Sequence, residues 1–247
     1  MYNFNEKVTT ELYEKYSEFK MLSSGNTSTS KEFYDETLYD LIKSNIKNKN
    51  KNKNKNLNIC DLGCGTGMKL KSLLDMGCRN LYGCDINADA EDSPRIVRQG
   101  LFDFLKYNSI KFDIIILNDV MEHLSFEQVI ELFELCKANM SKGAILYIKV
   151  PNGASPYFGL YQYGDFTHKL IFNQYSFLQL QSMTDATLKC CMQEKLSIRK
   201  FKGIKKIAVT VLYKIALVRY KYISYLIFRT DVIMTPNIIA MFQFNEQ

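Results

Sequence analysis

The run Ile59-Cys60-Asp61-Leu62-Gly63-Cys64-Gly65-Thr66-Gly67 constrains this chain more than any other segment. A short apolar strand enters a turn with glycines at alternate positions, and a helical pattern through Leu70, Leu73 and Leu74 follows. Glycine lets a backbone turn tightly and come close to a ligand. The first N–H groups of a helix favour a negative group. The next apolar strand, Leu81-Tyr82-Gly83-Cys84-Asp85, ends on an acid 18 residues beyond Gly67. An acid in that place accepts hydrogen bonds from both hydroxyls of a ribose. The two segments together predict a site for an adenosine-containing cofactor.

The rest of the chain continues the alternation of strands and helices. Arg95 to Arg98 reads as a weak strand, and Phe112 to Leu117 and Ala144 to Val150 as strands buried on both faces. The nearly continuous apolar character of the last two is what a parallel sheet covered by helices requires. A helix from about Ser125 to Met140 places Val129, Leu132, Phe133 and Cys136 on one side. This pattern predicts an α/β fold, a doubly wound and mostly parallel sheet. Residues 1–46 carry helical spacing (Leu12, Tyr16, Phe19, then Phe33, Leu38, Leu41, Ile42) around a polar loop at Ser23 to Ser30, and read as a helical lid. Residues 47–56 alternate Lys and Asn and read as a solvated linker, having no apolar group to offset the entropy of ordering. Residues 57–202 form the core, 203–230 a basic helical insertion, and 231–247 supply a final strand at Pro236 to Phe242.

The formal charge of +6 comes from 32 basic and 26 acidic residues. The Lys/Asn tract holds five of the basic residues, and Lys195 to Thr230 holds ten with no acid. Setting those fifteen aside leaves 17 basic against 26 acidic residues, an acidic body of −9. Seven cysteines without a metal-type CxxC pair, and a start that does not resemble a secretory signal, read as reduced thiols in a cytoplasmic protein. Within Ile207 to Phe228, Lys214, Arg219 and Lys221 leave no charge-free run long enough to cross ~30 Å of hydrocarbon.

Four segments resemble the class I S-adenosylmethionine-dependent methyltransferases. They are Asp61 to Gly67, Asp85-Ile86-Asn87, the strand at Phe112 to Leu117 running into Asn118-Asp119-Val120-Met121-Glu122-His123-Leu124, and Gly143 to Asn152. The resemblance spans roughly residues 57–152 and implies a seven-stranded Rossmann-like sheet. It implies that Asp61 with Gly63, Cys64, Gly65, Thr66 and Gly67 holds the methionine part of the cofactor. Asp85 and Ile86 then lie at the ribose, Leu101 and Phe102 at the adenine, and Asn118 at the cofactor edge. The family often carries an acid just after the glycine at position 100; this chain has Leu101, with Asp103 two residues later.

The chain has only two histidines. Asp119, Glu122 and His123 stand at i, i+3 and i+4 after the fourth strand, a spacing that puts three side chains on one face of a helix. His168 follows the fifth strand in Gly164-Asp165-Phe166-Thr167-His168. Loops after those two strands line the same sheet edge, so both histidines are expected at one pocket. Two imidazoles and two carboxylates suit either a divalent cation or a general base with its orienter. The set Asp119, Glu122, His123 and His168 is similar to the Mg-binding set of small-RNA 2′-O-methyltransferases, which implies Mg or Mn. The metal-free alternative gives catalysis to His168 or His123 with Asp165.

The Asp165-to-His168 segment with Phe172 to Leu178 also resembles methyltransferases of bacterial surface-polysaccharide loci. That resemblance implies an oxygen acceptor on a glycan precursor, either a sugar hydroxyl or a phosphate- or phosphoramidate-type group. RNA 2′-O-methylation is the enzymatic alternative, weighed lower because no RNA-binding module is appended. A catalytically silent cofactor-binding subunit is the non-enzymatic one. For residues 203–229 three readings stand open: packing on the core or forming a homodimer, resting on the inner face of an anionic membrane, or touching a phosphate-bearing substrate or nucleic acid.

Overall fold

The computed structural model describes residues 35–48, 57–89, 91–92, 94–195 and 201–244. Most of the expected lid, including Leu12, Tyr16, Phe19, Phe33 and the Ser23–Ser30 loop, lies outside these residues, as do positions 49–56 of the linker. Helix α1 is Glu36–Asn48. Lys47 and Asn48 therefore belong to a helix and not to the linker.

The chain then runs β1 (Ile59–Leu62), α2 (Met68–Asp75), β2 (Leu81–Asp85), β3 (Glu91–Asp92), β4 (Arg95–Arg98), α3 (Leu101–Tyr107) and β5 (Phe112–Asn118). A 3-10 turn at Met121–His123 leads to α4 (Phe126–Asn139) and β6 (Met140–Pro151). After these come α5 (Phe158–Gln162), α6 (Gln174–Met183), β7 (Ala186–Gln193), α7 (Gly203–Phe228) and β8 (Asn237–Phe244).

The strands form one sheet in the order β3-β4-β2-β1-β5-β6-β8-β7. Strands β4, β2, β1, β5 and β6 run parallel, and β8 lies antiparallel between β6 and β7. This is the expected seven-stranded sheet with one addition, the two-residue β3 antiparallel to the edge strand β4. Order reverses at β1, between β2 and β5, so the ligand crevice falls at the carboxyl ends of these strands.

Successive residues of β5 divide between the two faces, as a pleated strand dictates. Ile115 and Leu117 join Leu132, Phe133, Phe177 and Phe242 under α4 and α6. Ile114 and Ile116 join Leu38, Tyr39, Ile42, Leu70, Leu73 and Tyr147 under α1 and α2. The described part of the lid is thus a core element. Asp35 fixes its start, with Oδ1 accepting from Thr37 N (3.1 Å) and Leu38 N (3.0 Å), and Oδ2 accepting from the Tyr147 hydroxyl (2.7 Å).

At the head of α4, Ser125 and Gln128 form a reciprocal capping box, with Gln128 N donating to Ser125 Oγ and Ser125 N donating to Gln128 Oε1. Such a cap stabilises a helix start by about 1 kcal/mol. Here it also stops the helix from extending back into residues 121–123.

Candidate functional site

The glycine turn packs down onto the strand tips before it offers anything to a ligand. Gly63 and Gly67 have φ of 74° and 70°. A Cβ on Gly63 would stand 2.6 Å from Val120 Cγ2, and one on Gly67 2.3 Å from Ile96 Cδ1. The loop's own donors are engaged: Gly63 N and Cys64 N with Cys84 O (2.8 and 3.1 Å), and Gly67 N with Cys64 O (3.0 Å). Gly65 N donates to Asp85 Oδ2 (2.9 Å), and Asn87 N to Asp85 Oδ1 (2.8 Å). Recognition of a negative group therefore falls to the first turn of α2, which has no side-chain cap. Each Asp85 oxygen keeps a lone pair beyond its one backbone bond, so the carboxylate can still take two ribose hydroxyls.

Behind the loop two opposite charges are held dry. Asp61 is 2% exposed, and its Oδ1 has no hydrogen-bond partner among the described residues. Burial pushes its carboxyl up to about 6, with Lys69 pulling the other way and Asp85 and Asp119 adding to the rise. Lys69 is 8% exposed, and its Nζ likewise has no hydrogen-bond partner among the described residues. Burial pulls its ammonium down against the attraction of Asp61 and Asp35. A buried orphan acid beside a buried orphan amine suits a ligand that carries an ammonium and a carboxylate together. Lys69 was not expected at the site; its neighbours on an apolar helix face were the only sequence signal.

The other expected cofactor residues differ in their surroundings. Thr66 is exposed at the loop tip, and Cys64 is half-buried with its thiol pushed up by burial, which makes it inert. Ile86 is half-exposed, its carbonyl accepting from Arg98 Nε (3.1 Å). Leu101 and Phe102 are half-buried at the head of α3, packed against the core. Asn118 Nδ2 donates to Asp119 Oδ2 (2.7 Å), while its Oδ1 is buried without a partner among the described residues.

Beyond β5 the expected single face of Asp119, Glu122 and His123 does not form. Asp119 adopts φ 55°, and its N–H donates back to Lys149 O (2.9 Å). The tight turn begins only after it, with His123 N donating to Val120 O (3.1 Å). The left-handed residue breaks the helical register that the spacing assumed. The cluster that does form is Glu122, His123 and His168, with one ligating atom from each lying within 4.8 Å of the others. Asp119 is outside it.

The backbone assembles this cluster. Glu122 O accepts from Lys169 N (2.7 Å) and Leu170 N (3.1 Å), which brings residues 165–170 against the turn. The two imidazole centroids then stand 4.7 Å apart, edge to face at 64°. Asp165 Oδ2 lies 3.8 Å from His168 Nε2, while its Oδ1 takes the hydroxyl of Thr167 at 2.5 Å. Thr167 Oγ1 is also 2.8 Å from His123 Nδ1. A carboxylate only accepts, so the Thr167 proton goes to Asp165, and the Thr167 oxygen must accept from His123. The network assigns the His123 proton to Nδ1 and leaves the lone pair on Nε2. Thr167, 5% exposed, was not foreseen either; its place between Asp165 and His168 was the only hint.

The chain matches the family described as methyltransferase domain over residues 32–195, well over half of its length. Comparison with curated proteins finds no match. A SAM dependent methyltransferase from Archaeoglobus fulgidus is 21% identical, with 82% of this chain and 93% of that one covered and a TM-score of 0.52. The 1,6-didemethyltoxoflavin-N1-methyltransferase of Burkholderia thailandensis, solved with bound 1,6-didemethyltoxoflavin and S-adenosylhomocysteine, is 9% identical over 98% and 89% of the chains, with a TM-score of 0.58. The magnesium protoporphyrin IX methyltransferase of Synechocystis PCC 6803, with bound SAH, is 13% identical over 85% and 83%, with a TM-score of 0.51. At these identities the likeness is one of fold.

Proposed function

This chain belongs to the methyltransferase domain family, and from that premise we propose that it transfers a methyl group from S-adenosylmethionine to an oxygen of a small acceptor, in its finer form a surface-glycan precursor. The bound cofactor supplies an electrophilic methyl on a sulfonium, so no nucleophile of the protein's own is required. The neighbours solved with SAH support that cofactor.

Asp85 would take the ribose hydroxyls. Lys69 would receive the carboxylate of the methionine part and Asp61 its ammonium, each giving a buried charge the partner it lacks. Asn118 Oδ1 adds an acceptor at the same edge. On the other side His123 Nε2 removes the acceptor proton as methyl transfer proceeds, and the buried Glu122 favours the imidazolium that results. Thr167 and Asp165 hold the ring, and His168 lines the pocket beside it. The observation that carries this reading is the Asp165–Thr167–His123 chain, which leaves a basic nitrogen at the tip of β5.

A second reading uses the same atoms. Two imidazoles and a carboxylate within 4.8 Å form a donor set for a divalent cation. Nitrogen donors fit Mn better than the oxygen-seeking Mg. Glu122, His123 and His168 would hold it, and it would lower the pKa of an acceptor hydroxyl there. The glycan acceptor rests on the resemblance of residues 165–178 to polysaccharide-locus methyltransferases.

Calorimetry of the purified protein with S-adenosylhomocysteine is the first test, and absence of binding would remove the cofactor assignment. Turnover is then measured against nucleotide-activated sugars and phosphorylated precursors. Methylation of RNA with no turnover on that panel would move the acceptor class. Activity unchanged by chelation and Mn re-addition would exclude the cation and leave His123 as a metal-free base.

A further inference from the structure

Helix α7 has two unlike faces. At ~1.5 Å per residue its 26 residues reach about 39 Å. One side faces the body: Tyr213 donates to Glu194 O (2.9 Å), Tyr220 lies beside Tyr157, and Ser224 Oγ bridges Thr230 O and Val232 N (both 2.7 Å). The opposite side carries Ile204, Ile207, Val211, Ile215, Val218 and Tyr222, spaced 3-4-4-3-4 and between 49% and 84% exposed. At 100° per residue Lys214 and Lys221 border this stripe on one side, and Lys205 and Arg219 on the other. The helix contains no acid. Lys221 has an ion pair with Asp231 (3.1 Å) just beyond the helix. Six apolar side chains in a continuous exposed stripe mark an interaction surface.

Charge selects the occupant. A two-fold contact sets a surface against itself, so a second copy would bring the basic flanks of α7 onto basic flanks with no carboxylate in the helix to answer them. A nucleic acid would use the charges and leave the isoleucines and valines wet. An anionic bilayer answers both features. Its headgroups attract each Lys or Arg by about 1 kcal/mol, and its acyl boundary accepts the apolar stripe while the long basic side chains reach back to the headgroups. No helix among the described residues is long and apolar enough to cross a membrane, so the fit is to the surface plane.

We propose that α7 docks this protein on an anionic lipid surface, lying in the plane of the headgroups. Tyr157, beside Tyr220 on the body side of α7, opens α5, where Leu160 and Tyr163 are 73% and 71% exposed. From α5 the chain runs directly into Asp165 and His168. The body side of α7 is thus linked, through α5, to the segment that carries His168, while the docking stripe faces away from it. The docking itself does not depend on the methyl-transfer reading.

Flotation of the full chain with phosphatidylcholine vesicles, with and without phosphatidylglycerol, tests this. Binding is expected only to the anionic vesicles and should weaken as salt rises. The double variant K214E/R219E should lower it by about tenfold or more. I215S/V218S should also lower it, with secondary structure by circular dichroism unchanged, since all four positions are solvent-exposed. Failure to float with anionic vesicles overturns the proposal, and so does equal binding to neutral vesicles. A sedimentation dimer that I215S/V218S converts to monomer, without flotation, would give the stripe to a second copy. Salt-dependent RNA binding without flotation would give the charges to a nucleic acid. Either result overturns the lipid assignment.

Discussion

The proposed cofactor edge and the proposed acceptor edge of this site sit at neighbouring strand tips but are built in opposite ways. The cofactor edge comes from one unbroken run, Cys60 to Gly67, closed by Asp85 on the next strand through Gly65 N. The acceptor edge comes from two segments more than forty residues apart, joined by Lys169 N and Leu170 N donating to Glu122 O. The first edge holds buried charges, at Asp61 and Lys69, without hydrogen-bond partners among the described residues, and ties its glycine turn to Cys84 and Asp85. The second arranges its side chains into a relay, Asp165 to Thr167 to His123. One edge is strained towards a ligand and the other is preorganised for a proton. Changes at the first should therefore move cofactor affinity and stability, and changes at the second turnover alone.

The largest separation is expected from His123→Ala. Loss of a general base lowers turnover by about 10²- to 10⁴-fold, with calorimetric affinity for S-adenosylhomocysteine unchanged. A parallel fall in affinity would mean that the two edges are not separable.

Next is Asp61→Asn. The folded carboxyl titrates near 6 against an ordinary 3.8, so the native state binds the proton more tightly than the unfolded chain does. The resulting penalty is absent below pH 4, grows as pH rises through 6, and then levels at no more than about 3 kcal/mol. The variant should melt at a higher temperature than the parent at pH 7.5 without cofactor, lose that advantage as pH falls towards 4, and bind cofactor more weakly. Equal melting at pH 7.5 would show that the buried charge is already answered. The smallest effect belongs to Thr167→Val, which frees the His123 ring. Turnover should drop by about tenfold, the acid limb of the pH–rate profile should move to lower pH, and cofactor affinity should hold. An unmoved pH profile would deny the relay.

The same contrast explains what the amino-acid sequence revealed. The turn at Gly63 and Gly67 and its closure by Asp85 were legible because turn, helix start and strand-end acid follow at fixed spacing on adjacent elements. The two-faced β5 was legible because a strand covered on both sides must be apolar throughout. Asp119 was misplaced because spacing at i, i+3 and i+4 presumes an unbroken helix, and a single left-handed residue ends that presumption. Thr167 and Lys69 were missed for a different reason. A hydroxyl matters here only through an imidazole 44 positions earlier, and a lysine on a helix reads as solvated until tertiary packing buries it. The outward stripe of α7 was likewise hidden: apolar residues at helical period look like core, and only the fold shows which way they face.

The position of β8 bears on how this protein is made. Residues 237–244 are the last of the eight described strands to be synthesised, yet they lie between β6 and β7 and give β7 its one partner among them. On the ribosome β7 must wait for some fifty further residues, about 3–10 seconds at ~5–20 residues per second. Before that wait ends α7 has been made with its isoleucines uncovered. The nascent chain thus carries two adhesive surfaces at once, a bare strand edge and an oily helix, and only the arrival of β8 removes the first.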